Sequence, residues 1–302
     1  MIRLSLATFL LATGFQASIA QKNFSTNPDS VVFHTSDIAV FWKVFDKTSP
    51  KFDAKAFQEE YIDVGSAGLK GFIRMRIESG KNLSKTIKDN LAYYQAVRES
   101  SLSINGEKKK LYDYFHKLKE IYPKAAFPDV YFVIGAKNTG GTTFSGGLII
   151  GAEMYGKPSG SFMPSIDIDY IDEVVLHESV HFQQNYAPSK ILLAQCIREG
   201  TADFICELVA GGHSNGKIHD YGNAHTKELW NEFKNEMNGT DWSNWLYGSK
   251  NKSRQKDLGY WIGYKISSAY YDKMTDKMKA IDDMLNITDY EAFLKKSGYN
   301  GE

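Results

Sequence analysis

The sequence predicts an α+β protein, predominantly helical, with one small β-sheet. Two observations carry this. Amphipathic runs at helical period fill most of the chain before residue 127 and after residue 171. Runs rich in β-branched and aromatic residues are confined to a short stretch after Pro128. A third observation fixes the centre of interest: His177-Glu178-Ser179-Val180-His181 lies inside one of the helical runs, Ile171 to Gln184.

Residues 21–34 carry no regular pattern and read as a loose or extended arm. Asp37 to Phe45 is helical in pattern, with Ser36 placed to cap it. Lys55 to Ile62 and Leu69 to Ile77 are further helices, separated by Gly65-Ser66-Ala67-Gly68. Leu83 to Arg98 and Lys108 to Ile121 are amphipathic. Strands are expected at Val130 to Gly135 and at Leu148 to Glu153, with a weaker one at Ser165 to Ile168. Between the first two, Asn138 to Gly147 is Gly- and Thr-rich and reads as a mobile rim. The helix with the two His residues should stop near Pro188. Ser189 can cap its successor, Lys190 to Ala210, closed by Gly211-Gly212. Residues 213–256 are polar and irregular, with a short helix at Lys227 to Met237. Asp257 to Met278 is a last long helix and Asp289 to Lys296 a small one.

Composition narrows the function classes. Acidic and basic residues number 36 each, so no charge excess favours nucleic acid or an anionic membrane. Arg3, the apolar run Leu4 to Ala12 and Ser18-Ile19-Ala20 before Gln21 form a secretory signal over residues 1–20. That run is too short to span a bilayer, which takes about 20 apolar residues. The mature chain, 21–302, is expected to be exported, periplasmic or secreted, without stable membrane insertion. It divides by texture into a mostly helical part (21–127), a core (128–212) and a C-terminal helical part (213–302). Cys196 and Cys206 are the only cysteines. Ten residues of helix place them roughly 15 Å apart, whereas a disulfide needs Cα atoms within about 7 Å. Two buried free thiols are expected.

The HExxH motif proposes a metal. Residues four apart on a helix stack on one face, with Cβ atoms about 5–6 Å apart, and two imidazoles so placed can share one Zn²⁺. Glu178, next to the first His, can serve as general base to a metal-activated water attacking a carbonyl. A catalytic zinc usually has three protein ligands. Glu199, in Arg198-Glu199-Gly200-Thr201-Ala202-Asp203 on the next helix, is the expected third. Asp203, one turn on, is the expected carboxylate for the outer ring N–H of His177 or His181. The small residues 200–202 would let the two helices approach closely.

His177-Glu178-x-x-His181 with Glu199-x-x-x-Asp203 resembles the gluzincin class of zinc peptidases, whose third ligand is a Glu on the following helix. More narrowly, Tyr61-Ile62-Asp63-Val64-Gly65-Ser66-Ala67-Gly68-Leu69-Lys70-Gly71-Phe72 and Gly259-Tyr260-Trp261-Ile262-Gly263-Tyr264 resemble predicted zinc-dependent proteases related to the gliding-motility lipoprotein B of gram-negative bacteria. The lipoprotein members carry a lipidated Cys that this sequence lacks at its start. The resemblance implies a zincin-like core in which an edge strand lies next to the HExxH helix and pairs with substrate. It puts Gly151 and Ala152 on that strand, and Glu153 where a free substrate amine would bind. The oxyanion donor is expected from Tyr260 or Tyr264, with His213, His219 and His225 as rivals. The implied activity is an exported zinc peptidase acting on peptide or protein substrates, endo- or aminopeptidase. The alternative is a non-catalytic zinc-binding factor of envelope assembly, secretion or motility.

Overall fold

The computed structural model describes residues 24–104, 108–248 and 254–302; the expected signal over 1–20 lies outside them. The architecture is α+β, mostly helical, with one small mixed sheet. Chain contacts divide the described residues into two units. A sheet unit takes in residues up to 116 together with 126–179, and a helical unit takes in 117–125 with 180–302. The division does not follow the textural parts 21–127, 128–212 and 213–302.

The sheet unit is built on strands β1 (Phe33–His34), β2 (Val130–Val133), β3 (Gly141–Phe144) and β4 (Gly147–Gly151). Their order is β1-β2-β4-β3. The first three in that order run parallel, and β3 closes the sheet antiparallel to β4. Leu148, Ile149 and Ile150 are fully buried, so β4 is covered on both faces and its consecutive apolar residues all find a core. This corrects one expectation. The strand at Leu148 to Glu153 is an interior strand, flanked by β2 and β3. The edge beside β4 belongs to β3, in the Gly/Thr-rich stretch that read as a rim. Gly141-Thr142-Thr143-Phe144 has too little apolar alternation to announce a strand, and pairing with β4 is what recruits it.

Helices α1 (Ser36–Thr48), α2 (Ala54–Phe57), α3 (Ala67–Phe72), α4 (Gly80–Asp89) and α5 (Leu91–Ser103) belong to the same unit. Helices α2 and α3 each run on into a wider π turn, over Gln58–Ile62 and Ile73–Ile77. Ser36, expected to cap α1, is its first residue, and the N-cap Thr35 makes no side-chain cap bond; α2, α3 and α4 are capped by side chains. Asp53 accepts from the Ala56 N–H, Ser66 from Leu69 and Ser79 from Asn82. The expected helix over 83–98 is interrupted at Asn90. Phe41, Phe57, Tyr61, Phe72 and Tyr94 form a buried aromatic core. Two of these rings also fasten the chain beyond β2. Tyr61 donates to the Ile134 carbonyl at 2.7 Å and accepts from the Ile134 N–H at 2.9 Å. Tyr94 donates to the Gly135 carbonyl at 2.8 Å.

Helix α6 covers Lys108–Ile121. A second, two-stranded parallel pair, β5 (Tyr155–Gly156) and β6 (Ile166–Asp167), precedes α7 (Ile171–Gln183). The helical unit then contains α8 (Leu192–Ala210), α9 (Gly216–Ala224), α10 (Thr226–Glu236), α11 (Leu258–Lys273), α12 (Lys277–Leu285) and α13 (Tyr290–Ser297). Gly211, at φ +81°, ends α8 as expected. Helix α9 was not expected from its polar, glycine-bearing sequence. The expected helix 257–278 stops at Lys273, and Asp276 caps α12 by accepting from Lys279.

Helices α8 and α11 cross almost backbone to backbone. A Cβ at Gly263 would fall 1.7 Å from the Cys196 carbonyl oxygen, and one at Gly200 would fall 2.0 Å from the Tyr264 nitrogen. Gly200 therefore serves the approach of α11, not that of the HExxH helix. Cys196 and Cys206 are buried free thiols, as their spacing on one helix requires. Because the obstacle at Gly263 is main chain, no side-chain rotation can relieve it. Gly263→Ala is expected to destabilise the protein by on the order of 3 kcal/mol, read as a shifted midpoint in chemical denaturation. A loss below about 1 kcal/mol would mean that the crossing is looser than described.

Candidate metal centre

Helix α7 is seated by Val175, Leu176 and Val180, all fully buried. Its first turn carries Asp172 and Glu173, which suit the positive end of the helix dipole. Lys110 Nζ lies 2.9 Å from the buried Asp172 carboxylate. With those apolar positions committed, His177 and His181 share another face one turn apart.

Helix α8 presents Glu199, which is 5% exposed. Ligand atoms of His177, His181 and Glu199 all lie within 4.8 Å of one another. His181 Nε2 is 3.1 Å from Glu199 Oε2. The tautomer of that imidazole follows from a neighbour. Gln184 donates through Nε2 to the Arg198 carbonyl at 2.7 Å, and a carbonyl can only accept. The amide oxygen of Gln184 must then be the atom 2.8 Å from His181 Nδ1. Nδ1 therefore carries the proton and donates, which leaves the Nε2 lone pair facing a carboxylate oxygen. Two lone pairs 3.1 Å apart require a cation between them, either a proton or a metal ion. The donor set is two imidazoles and one carboxylate, a set suited to zinc.

The other oxygen of Glu199 is also held. Tyr247 donates to Oε1 at 2.9 Å. Burial, with the negative charge of Glu199 beside it, pushes the Tyr247 phenol well above its ordinary range, so it stays a neutral donor. Tyr260 lies close enough to Glu199 for that charge to add to burial in raising its phenol. Neither Gln184 nor Tyr247 was singled out from the sequence. Gln184 had a usable signal, since three residues beyond His181 is one turn along the same face. Tyr247 falls in an unpatterned stretch and had none.

Glu178 lies against the sheet edge. A Cβ at Gly141 would come 2.6 Å from Glu178 Cγ and 2.7 Å from its Oε1. Glycine at that position of β3 lets the carboxylate pack directly against the strand; a Cβ there would require Glu178 to shift. The edge strand next to Glu178 is thus β3, not the strand carrying Gly151 and Ala152.

The sequence model of the family described as gliding motility protein GldB matches residues 26–301. The chain belongs to the GldB family. The match takes in the HExxH helix, its successor with Glu199, and both stretches that carried the narrower resemblance, 61–72 and 259–264. Searches of curated proteins and of solved structures returned no match.

The remaining expected residues of this GldB-family chain stand elsewhere. Gly151 ends β4 opposite Val133, and Ala152 opens a short 3-10 turn; both are buried inside the unit. Glu153 is fully buried, and its two oxygens accept the Gly135 N–H at 2.8 Å and the Lys137 N–H at 3.0 Å. It fastens a loop and does not present a carboxylate to a ligand. Asp203 accepts Asn215 Nδ2 at 2.9 and 3.1 Å and faces His213 and His219. Asp203 was expected to orient His177 or His181; for His181 the ring N–H is directed at Gln184 instead. Tyr264 donates to Glu207 at 2.8 Å and stacks edge-on against His219. It stands with Asp203, a turn along from Glu199. His225 bonds the Tyr221 carbonyl through Nδ1 at 2.8 Å.

Two expectations follow. Gln184→Ala removes the acceptor that fixes the His181 tautomer and should weaken zinc binding about 10–100-fold, measured by competition with a chromogenic chelator; an unchanged affinity would remove Gln184 from the site. Burial raises the Glu153 carboxyl from 4.5 to about 7. The native state then binds more protons than the unfolded chain between those values, so stability falls as pH rises from about 4.5 to 7. The contribution is roughly 3 kcal/mol at most, at 1.36 kcal/mol for each pH unit. Urea denaturation at pH 5 and 7.5 should show Glu153→Gln with a flatter dependence than the parent; equal slopes would place the titration elsewhere.

Proposed function

We propose that the protein is an exported zinc-dependent peptidase of gluzincin type, in which His177, His181 and Glu199 hold Zn²⁺ and Glu178 is the general base. The observation that carries this reading is the His181 Nε2 lone pair, fixed by Gln184 and facing the Glu199 carboxylate at 3.1 Å, one turn from His177. Bound zinc would supply a water of pKa near about 7 and a Lewis acid for a carbonyl oxygen. Glu178 takes the proton of the attacking water on a carboxylate oxygen and returns it to the leaving amine nitrogen. Tyr247 keeps Glu199 oriented by its hydrogen bond to Oε1. Tyr260, close enough to Glu199 to feel its charge, is our candidate to steady the developing oxyanion; the Tyr264 hydroxyl donates to Glu207.

The edge of β3 supports a peptide as substrate. An extended chain can add to an exposed strand through main-chain hydrogen bonds, and at Gly141 the added strand would run beside Glu178. Membership of the family supports export. No helix among the described residues is long and apolar enough to cross a membrane. The family's description favours a second reading, a zinc-binding motility or envelope factor without turnover. In that case Glu178 beside the ligands would have no task.

A peptide library with and without chelator separates the two readings. Glu178→Gln is expected to keep its zinc and lose more than about 10³-fold in turnover, within the range general-base removal costs. Glu199→Ala is expected to lose one equivalent of zinc. Normal cleavage by Glu178→Gln would end the mechanism, and full zinc in Glu199→Ala would move the third ligand.

A further inference from the structure

The helical unit contains a second group of metal-ligating side chains, one turn along α8 from Glu199. Asp203 is fully buried and is held flat by Asn215, whose Nδ2 donates to both carboxylate oxygens. His219, on α9, is 8% exposed, and its Nε2 makes no hydrogen bond. That nitrogen points at Asp203 Oδ2, 3.5 Å away. His213 Nδ1 lies 3.9 Å from the same oxygen. One ligand atom from each of the three residues falls within 4.8 Å of the others.

The geometry points to a second divalent metal site at Asp203, His213 and His219, selective for a borderline transition-metal ion of the Zn²⁺ class. Bonds of about 2.0–2.1 Å in a tetrahedron place neighbouring ligand atoms about 3.3 Å apart. The separations of 3.5 and 3.9 Å exceed that by a few tenths of an ångström, within the reach of small imidazole rotations. Two nitrogens and one oxygen exclude the hard cations, since Ca²⁺ and Mg²⁺ take oxygen ligands. The surroundings fit as well. The Asn215 backbone N–H donates to His213 Nδ1 at 3.3 Å, which makes Nδ1 the unprotonated nitrogen, and a metal bound there would take over the lone pair from that long contact. His213 Nε2–H then faces the Glu207 carboxylate at 3.6 Å, and Glu207 accepts from Tyr264. A ligating imidazole that directs its other N–H to a carboxylate is the usual pattern around a protein-bound metal. The buried Nε2 of His219 makes no hydrogen bond, although buried polar atoms are ordinarily hydrogen-bonded, and an ion bonded to it and to Asp203 would satisfy it.

Such an ion would pin α9 and the turn before it to α8. Its role is positioning: it fixes the helix that carries Glu199 from one turn further along. The assignment stands independently of the zinc peptidase reading, because it shares no ligand with the first group.

The full mature protein, stripped by chelator and reloaded with Co²⁺ or Zn²⁺, tests it by metal content per chain. The parent is expected to hold two equivalents, Glu199→Ala one, His219→Ala one, and the double variant none. Asp203→Asn, nearly isosteric and able to keep an Asn215 contact, should also hold one and guards against misfolding of His219→Ala. The Co²⁺ absorption left in Glu199→Ala should show a four-coordinate band that disappears in the double variant. If the first reading fails and this one holds, the parent and Glu199→Ala both hold a single equivalent, and His219→Ala and Asp203→Asn hold none. Unchanged metal content in both His219→Ala and Asp203→Asn overturns the proposal.

Discussion

A carboxylate at Glu199, buried on a long helix, cannot stand without compensation, and much of the helical unit is arranged to supply it. An ionised carboxylate withdrawn from water costs several kcal/mol unless donors or charges surround it. Tyr247 reaches in from a backbone at φ +60° to hold one oxygen, a conformation that non-glycine residues seldom adopt. His181 faces the other, itself clamped by an amide that is clamped by the backbone of α8. The chain of constraints is closed: the helix that carries Glu199 also provides the carbonyl of Arg198 that fixes the imidazole opposite it. The glycine crossing of α8 on α11 holds that helix in place, with Cys196 and Cys206 enclosed.

Much of this was legible in the sequence where local pattern decides. The helix Ile171–Gln183 and its partner Leu192–Ala210 came out within two residues of their expected bounds, because period sets both and Gly211 ends the second; the expected cap Ser189 does not cap it, the N-cap being Ile191 without a side-chain bond. The grouping of His177, His181 and Glu199 followed from helix geometry plus one turn of chain. What escaped depends on tertiary contact. Strand β3 has weak intrinsic preference and exists because β4 pairs with it. Helix α9 has a polar sequence that reads as loop until His219 and Gly222 are buried. The pairs Tyr247–Glu199 and Asp203–Asn215 could not be assigned by spacing alone, since one member of each lies in a segment without a pattern.

Two glutamates illustrate how environment, not identity, sets a role. Glu153 and Glu178 both belong to the sheet unit. Glu153 is enclosed and receives two backbone N–H groups, so its carboxyl titrates near neutrality and braces the loop after β2. Glu178 instead lies along an edge strand whose glycine makes space for it. The same residue type thus serves as a buried brace in one setting and as a carboxylate lying along an edge strand in the other.

The tight crossing at Gly259 and Gly263 has a consequence for experiment. A Cβ at Gly259 would sit 2.8 Å from Cys196 Sγ, so the thiol lies directly beneath α11, and burial pushes it well above the ordinary thiol range. A protonated thiol under a helix is shielded from alkylating reagents twice over, by access and by weak nucleophilicity. Cys196 is therefore a built-in clock: its rate of labelling measures how often α11 lifts from α8, with no probe introduced.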